Sequence, residues 1–318
     1  MADGQAVHVN AYQRRGVAAH ATPPVVSYSS GASSPGHLRG YILSGSPVGV
    51  SLAEFGEGSP AWDMVVDYAR HGGAVFVDSG AFPAFTKGQP VDWDRNADLV
   101  AKLCHAAAGA RLHLMMPDVI GDQAASLRLL RQRRGQVLDV IASGHDALVA
   151  IQRGKLSPHD CWREAVAILG TEDFTACVPS NKVAFSPAEL GNLMQGPDGP
   201  DRVHFLGVAG NLPKLATLAA IVHKAHPTCV VTSDANRIRA KVGPGRPLTE
   251  TRASMLATLK DAFLSLLDDP EHKRLFAEQA DRVLGAAATT AAVHITEQAG
   301  RRQPDLFGGS PMRKASRD

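Results

Sequence analysis

The chain is expected to fold as an α/β protein, a (β/α)8 TIM-type barrel with a C-terminal helical appendage, and three features of the sequence lead there. Eight short β-type runs can be counted, helical patterns lie between most of them, and polar groups stand at the C-terminal ends of six runs in succession. Alternation of strand and helix calls for right-handed crossovers and a parallel sheet. In a closed barrel all strand ends converge on one rim, whereas a doubly wound open sheet brings only those at its switch point to a ligand. The polar ends recur at a mean spacing of roughly thirty residues, the length of one βαβ unit.

The elements follow in order. After a polar N-terminal extension, residues 1–23, the β-type runs are Val25 to Tyr28, Tyr41 to Leu43, Ala74 to Val77, Leu112 to Met116, Ala147 to Ile151, Phe174 to Val178, Val203 to Leu206 and Cys229 to Thr232. Helical patterns cover Trp62 to Arg70, Ala97 to Ala108, Gln123 to Ile141, His159 to Leu169, Pro187 to Met194 and Pro213 to His223, several opened by Pro, Ser or Asp in capping positions. The barrel is assigned to residues 24–245. The glycine- and proline-rich stretch Gly243-Pro244-Gly245-Arg246-Pro247 ends it, a helical segment takes up 246–300, and the basic tail 301–318 has a disorder-type composition.

With 318 residues, 44% of them hydrophobic, the chain can bury a substantial core. Its 33 basic and 31 acidic residues leave a net charge of +2, so any nucleic-acid surface must be local. Aromatic residues are only 5%, which fits helices and parallel strands better than an antiparallel sandwich. Cys104, Cys161, Cys177 and Cys229 are far apart, with no metal-ligand spacing and no disulfide framework. The first twenty residues lack an apolar core, and no apolar run approaches the length of a membrane span. The expectation is a soluble cytoplasmic protein with no membrane partner, no metal and no cofactor.

Read in order, "VDSGAF", "MMPDVIGD", "VAIQRG", "VPSN", "FLGVAGN" and "TSDANR" resemble the barrel motifs of the tRNA-guanine transglycosylase superfamily. The likeness covers roughly residues 24–240. It is closer to the compact phage and bacterial branch that inserts 7-deazaguanines into DNA, the DpdA group. The resemblance implies Asp234 as nucleophile and Asp78 as general acid/base, with Ser79, Gly80 and Phe82 shaping the pocket. It implies that Asp118 and Gln152 read the edge of the base, and that Val178, Pro179, Ser180, Gly207 and Gly210 contribute backbone around it. A carboxylate attacking the anomeric carbon exchanges a base by double displacement, and a second acid must protonate the departing purine. Guanine presents N1–H and N2–H donors to a carboxylate and O6 to an amide, whereas adenine presents the wrong pattern.

Beyond Asp234 there is no cysteine, so the zinc subdomain of the tRNA enzymes is expected to be missing, and DNA is favoured over tRNA as partner beside a free preQ0-like base. Arg237, Arg239, Lys241 and Arg246 form a basic glycine-rich loop suited to phosphates around a flipped nucleotide. "QPDLF", Gln303 to Phe307, resembles the short peptides that grip a bacterial sliding clamp. Three alternatives stay open: a DNA glycosylase on the same barrel, a tRNA-guanine transglycosylase, and a non-catalytic nucleic-acid or clamp-binding module. Residue by residue, Asp78 and Ser79 could instead only cap the next helix, Asp118 could cap the helix after Gly121, Gln152 could satisfy a loop carbonyl, and Asp234 could be a turn residue. His113 and His145 read as core or loop histidines, and Met115-Met116 as barrel packing.

Overall fold

The computed structural model describes residues 25–31, 35–43, 45–180, 185–196, 198–208 and 211–235, and four residues further on. The chain divides into two compact units, Met1–Lys241 and Val242–Asp318. In the second unit the described residues are Pro270, Glu271, Lys273 and Arg274, all helical, with Arg274 Nη2 2.7 Å from Glu271 Oε1.

In the first unit, β1 (Val26–Ser29), β2 (Val48–Ser51), β3 (Val75–Asp78), β4 (Leu112–Met115), β5 (Asp146–Ala150), β6 (Thr175–Pro179), β7 (Arg202–Leu206) and β8 (Val230–Ala235) form a closed parallel barrel in chain order. The architecture is thus the expected (β/α)8 barrel. Its β8–β1 closure pairs four residues, Val26 to Ser29 with Thr232 to Ala235, whereas β1 and β2 meet only at Ser29 and Val48. Next to this thin seam the Cβ of any residue other than glycine at position 49 would come 2.8 Å from Ser30 Cα, so Gly49 is what lets the two chains pass.

The helices are α1 (Pro35–Leu43), α2 (Pro60–Arg70), α3 (Ala81–Thr86), α4 (Trp93–Ala106), α5 (Gln123–Gln132), α6 (Arg134–Ala142), α7 (Pro158–Leu169), α8 (Pro187–Leu193) and α9 (Leu212–Ala225). Side chains of Ser59, Asp92, Asp122, Ser157, Ser186 and Asn211 accept backbone N–H groups of the first turns of α2, α4, α5, α7, α8 and α9. Asp122, not Asp118, therefore caps the helix after Gly121, which removes one structural explanation for Asp118.

Two sequence expectations are corrected. Tyr41 to Leu43 is the end of α1 and not a strand: Leu38 and Tyr41, three apart, bury one helical face, and β2 comes after Gly45 turns the chain with φ +67°. The single helix expected over Gln123 to Ile141 is broken at Arg133, with φ −102° and ψ 15°. Beyond the break, Arg134 donates from Nε to the Ile168 carbonyl at 2.8 Å and from Nη2 to the Leu169 carbonyl at 3.0 Å, satisfying the C-terminal end of α7.

Alternate strand residues face the interior, where Val26, Tyr28, Phe76, Met115, Leu148, Ala150 and Cys177 form one cluster. Phe76 stacks on His204 with ring centroids 4.7 Å apart. The N-terminal end of the barrel is closed by a polar group: Asp146 Oδ2 lies 2.9 Å from His113 Nδ1, accepts the Thr175 hydroxyl at 2.8 Å, and Asp146 Oδ1 lies 3.5 Å from Arg202 Nε. Arg202 also reaches Asp173 at 2.7 Å. All four cysteines are free thiols and buried. Among the described residues no helix is long and apolar enough to cross a membrane.

Candidate active site

The C-terminal ends of β3, β4, β5 and β8 bring Asp78, Asp118, Gln152 and Asp234 to one rim. Gln152 donates from Nε2 to Asp118 Oδ2 at 2.7 Å, and its Oε1 faces the Gly121 N–H at 3.3 Å. Both side chains are buried, Asp118 6% and Gln152 3% exposed. Burial pushes the Asp118 carboxyl up to about 7; the Gln152 hydrogen bond opposes this, and the charge of Asp78 adds to it. Asp78 is likewise raised by burial, to about 6, with the Gly80 N–H pulling down and the charges of Asp234 and Glu54 pushing up. The three carboxylates thus sense one another in the sequence Asp118, Asp78, Asp234. Cys177, fully buried inside the barrel below them, is pushed well above the usual thiol range by burial, with Asp118, Asp234 and Asp78 contributing in that order.

Asp78 also keeps a local duty, since its Oδ1 accepts the Gly80 N–H at 2.7 Å. That turn needs glycine: Gly80 has φ +81°, and a Cβ there would meet the Ala53 Cβ at 2.6 Å. Ser79 is buried and structural, its carbonyl accepting from Asn96 Nδ2 at 2.9 Å and its hydroxyl from the Ala81 N–H at 3.3 Å. The turn hands the chain to α3, which leaves Phe82 exposed at the mouth.

Asp234 is 8% exposed and held through one oxygen. Its Oδ1 accepts the Gly207 N–H at 2.7 Å and lies 3.4 Å from His204 Nε2, while His204 Nδ1 faces Thr232 Oγ1 at 2.8 Å. Both of these Asp234 contacts fall on Oδ1. His204 and Thr232 were not singled out from the sequence, yet the strand period exposes them: His204 and Thr232 are paired in register, and each sits on the inner face two residues before the rim.

Val178, Pro179 and Ser180 reach the same rim through their backbones. The Val178 side chain lies between sheet and helices beside Leu190 and Leu218, while the Ser180 hydroxyl donates to the Leu206 carbonyl and its own carbonyl accepts Lys214 Nζ at 2.6 Å. A cleft of about 450 Å³ opens between the β5–α7 loop and α8, lined by Gln152, Arg153, Lys155, Leu156, Phe185 and Glu189 among others. Of the four polar rim residues only Gln152 lines it, so the cleft is a neighbour of the carboxylates and not their container. Gly210, Arg237, Arg239, Lys241 and Arg246, the 246–300 and 301–318 segments apart from the four residues above, and Gln303 to Phe307 lie outside the described residues. Among the described residues no cluster of three or more His, Cys, Asp or Glu is arranged to hold a metal ion.

Fold and rim together define a (β/α)8 barrel whose C-terminal mouth carries a carboxylate group. No protein-family model and no curated protein matches the sequence. Solved structures with related architecture include a monomeric dihydrodipicolinate synthase variant, 12% identical over 77% of each chain with a TM-score of 0.40. A proposed fructose-1,6-biphosphate aldolase from Coccidioides immitis is 12% identical over 86% of this chain and 94% of its own, with a TM-score of 0.46. A xylose isomerase-like TIM barrel/4-hydroxyphenylpyruvate dioxygenase fusion protein is 10% identical over 92% of this chain and 47% of its own, with a TM-score of 0.43. Overlaps this loose carry no argument about activity; the fold rests on the strand pairing itself.

Proposed function

We propose that the protein is a pentosyltransferase that replaces guanine in DNA with a 7-deazaguanine of the preQ0 type through a covalent aspartyl–glycosyl intermediate. The observation that supports this reading is the rim arrangement: Asp234 held by one oxygen against the Gly207 N–H, close enough to Asp78 for its charge to act there, and Asp78 in turn close enough to act on the Asp118–Gln152 pair. Asp234 Oδ2 attacks C1′ of the target nucleotide and the C1′–N9 bond breaks, its electrons leaving on the purine. Asp78, in its protonated form, gives that purine its proton. The incoming base then loses its N9 proton to the Asp78 carboxylate and attacks C1′, and the ester bond to Asp234 breaks. One Gln152 amide hydrogen is engaged with Asp118, which leaves the second for guanine O6, while an ionised Asp118 accepts from N1–H and N2–H. Burial of both makes a mismatched edge costly, since a polar group would be left unpaired.

The test is incubation of the protein with duplex DNA and radiolabelled preQ0. Label enters DNA, and Asp234→Asn lowers the rate by at least roughly a thousandfold. Absence of label from DNA defeats the reading; label in tRNA instead moves the substrate to RNA. Abasic sites formed without added base would assign hydrolysis, the second step then being taken by water.

A further inference from the structure

Asp118 and Gln152 come from two different loops, one after β4 and one after β5, and a buried amide of α5 ties those loops together. Among the described residues, main-chain bonding along the second loop ends with the Ile151 N–H on the Cys177 carbonyl at 2.9 Å. It resumes with the Cys161 N–H on the Ser157 carbonyl at 2.9 Å, at the start of α7. Partly buried backbone groups between those points need partners from elsewhere, and one side chain supplies three. Gln123, the first residue of α5 and only 5% exposed, donates from Nε2 to the Gln152 carbonyl at 2.9 Å and to the Leu156 carbonyl at 3.1 Å. Its Oε1 accepts the Leu156 N–H at 2.9 Å. Both hydrogens and the oxygen of the amide are thereby engaged.

The loop is shaped to this amide. A Cβ at position 154 would come 2.5 Å from Gln123 Cβ and 2.6 Å from its Oε1, so Gly154 is what lets the chain wrap around it. The tie also runs the other way: Gln152 Oε1 faces the Gly121 N–H, two residues before Gln123, and Gln152 Nε2 donates to Asp118 Oδ2. Gln123 therefore holds the main chain of Gln152 while the Gln152 side chain holds Asp118. Asp78 and Asp234 are fixed separately, by the Gly80 and Gly207 N–H groups.

We infer that Gln123 is a positioning residue that presents Gln152 and Asp118 as one hydrogen-bonding edge and thereby sets which purine the mouth accepts. The identity of that purine rests on the proposed function; the tie between the loops does not. Hydrogen bonds weaken steeply as their geometry departs from ideal, so a loop released from Gln123 loses the base edge while the groups that act at C1′ stay in place.

The experiment compares the full-length wild type with Gln123→Met, which fills similar space without hydrogen bonds, and Gln123→Glu, which keeps an acceptor for the Leu156 N–H. Incorporation of radiolabelled preQ0 into duplex DNA, with and without competing adenine, gives KM, kcat and discrimination; amide hydrogen exchange reads the loops. Gln123→Met raises KM for preQ0 about tenfold, changes kcat by less than about threefold, and cuts the advantage of preQ0 over adenine about tenfold. The Gly121 and Leu156 amides lose protection while those of Gly80 and Gly207 keep it, and Gln123→Glu retains protection at Leu156 with an intermediate KM. Unchanged KM and discrimination in Gln123→Met overturn the inference. So does lost protection at Gly80 and Gly207 as well, or a fall in kcat with KM unmoved, either of which reduces Gln123 to general packing. Wild-type protein that exchanges no base defeats the proposed reaction, and the Gly121 amide of Gln123→Met then decides the positioning alone: lost protection upholds it and kept protection ends it.

Discussion

Asp78 and Asp118 are the two titratable groups whose environments the barrel mouth sets, and burial lifts them to about 6 and about 7. The proposed first half-reaction needs Asp78 protonated and Asp118 ionised. That is the minority arrangement, since Asp118 holds its proton the more tightly, so kcat/KM for the DNA is expected to follow a low bell that falls on the acidic side below about 6 and on the basic side above about 7, and Asp118→Asn removes the acidic limb. The same lift costs stability. A carboxyl whose folded pKa stands above its ordinary 3.8 keeps its full contribution below that value and loses it as pH rises through about 7. Asp118→Asn is thus expected to gain roughly 2–4 kcal/mol in urea unfolding near pH 8 and to show no gain near pH 4. The four rim residues were legible because each acid or amide follows directly on a buried run, where bland uses are few. His204 was not, since a lone histidine within an apolar strand reads as core; only its register with Thr232 and its approach to Asp234 give it a role.

At the level of elements, local signals succeeded where caps and apolar runs were strong and failed where tertiary contacts decide. The five strands β3 to β7 were placed to within a residue, because continuous apolar runs bounded by turn residues have few competing readings, whereas β8 runs three residues further than expected and carries Asp234 within the strand. β2 was displaced, since the β-formers Tyr41 and Ile42 serve as helix-packing residues in α1, and α3 was missed because its two phenylalanines show no buried periodicity. The lower ends of β4, β5, β6 and β7 share a second buried carboxylate that no sequence pattern announced. Burial alone would raise Asp146, but His113, Arg202 and the Thr175 hydroxyl overcome it and hold the carboxyl below its usual range. Its stabilising contribution is present above the ordinary carboxylate pKa and is lost as pH falls through the lowered value. Asp146→Asn should therefore cost about 3 kcal/mol at neutral pH, leaving Arg202 and His113 short of their acceptor, and the gap from wild type should close under strongly acidic conditions in denaturant titrations.

For the molecule as a whole, the barrel could be read by counting strand ends, because strand–helix alternation with polar C-terminal ends leaves few topologies. The thin β1–β2 seam could not, for it depends on how the ring of strands is closed around Gly49. The placement of the thiols gives that ring a built-in clock. Cys104 sits on α4, Cys161 on α7, Cys229 just ahead of β8 and Cys177 inside the barrel, and burial raises every one of them, so few thiolates meet a reagent while the fold is intact. Alkylation followed by mass spectrometry should modify Cys104, the most exposed at 8%, before Cys177 at 0%. The rate at Cys177, insensitive to further reagent once alkylation outruns reclosure, then times how often all eight staves of this cask come apart, with no label added to the protein.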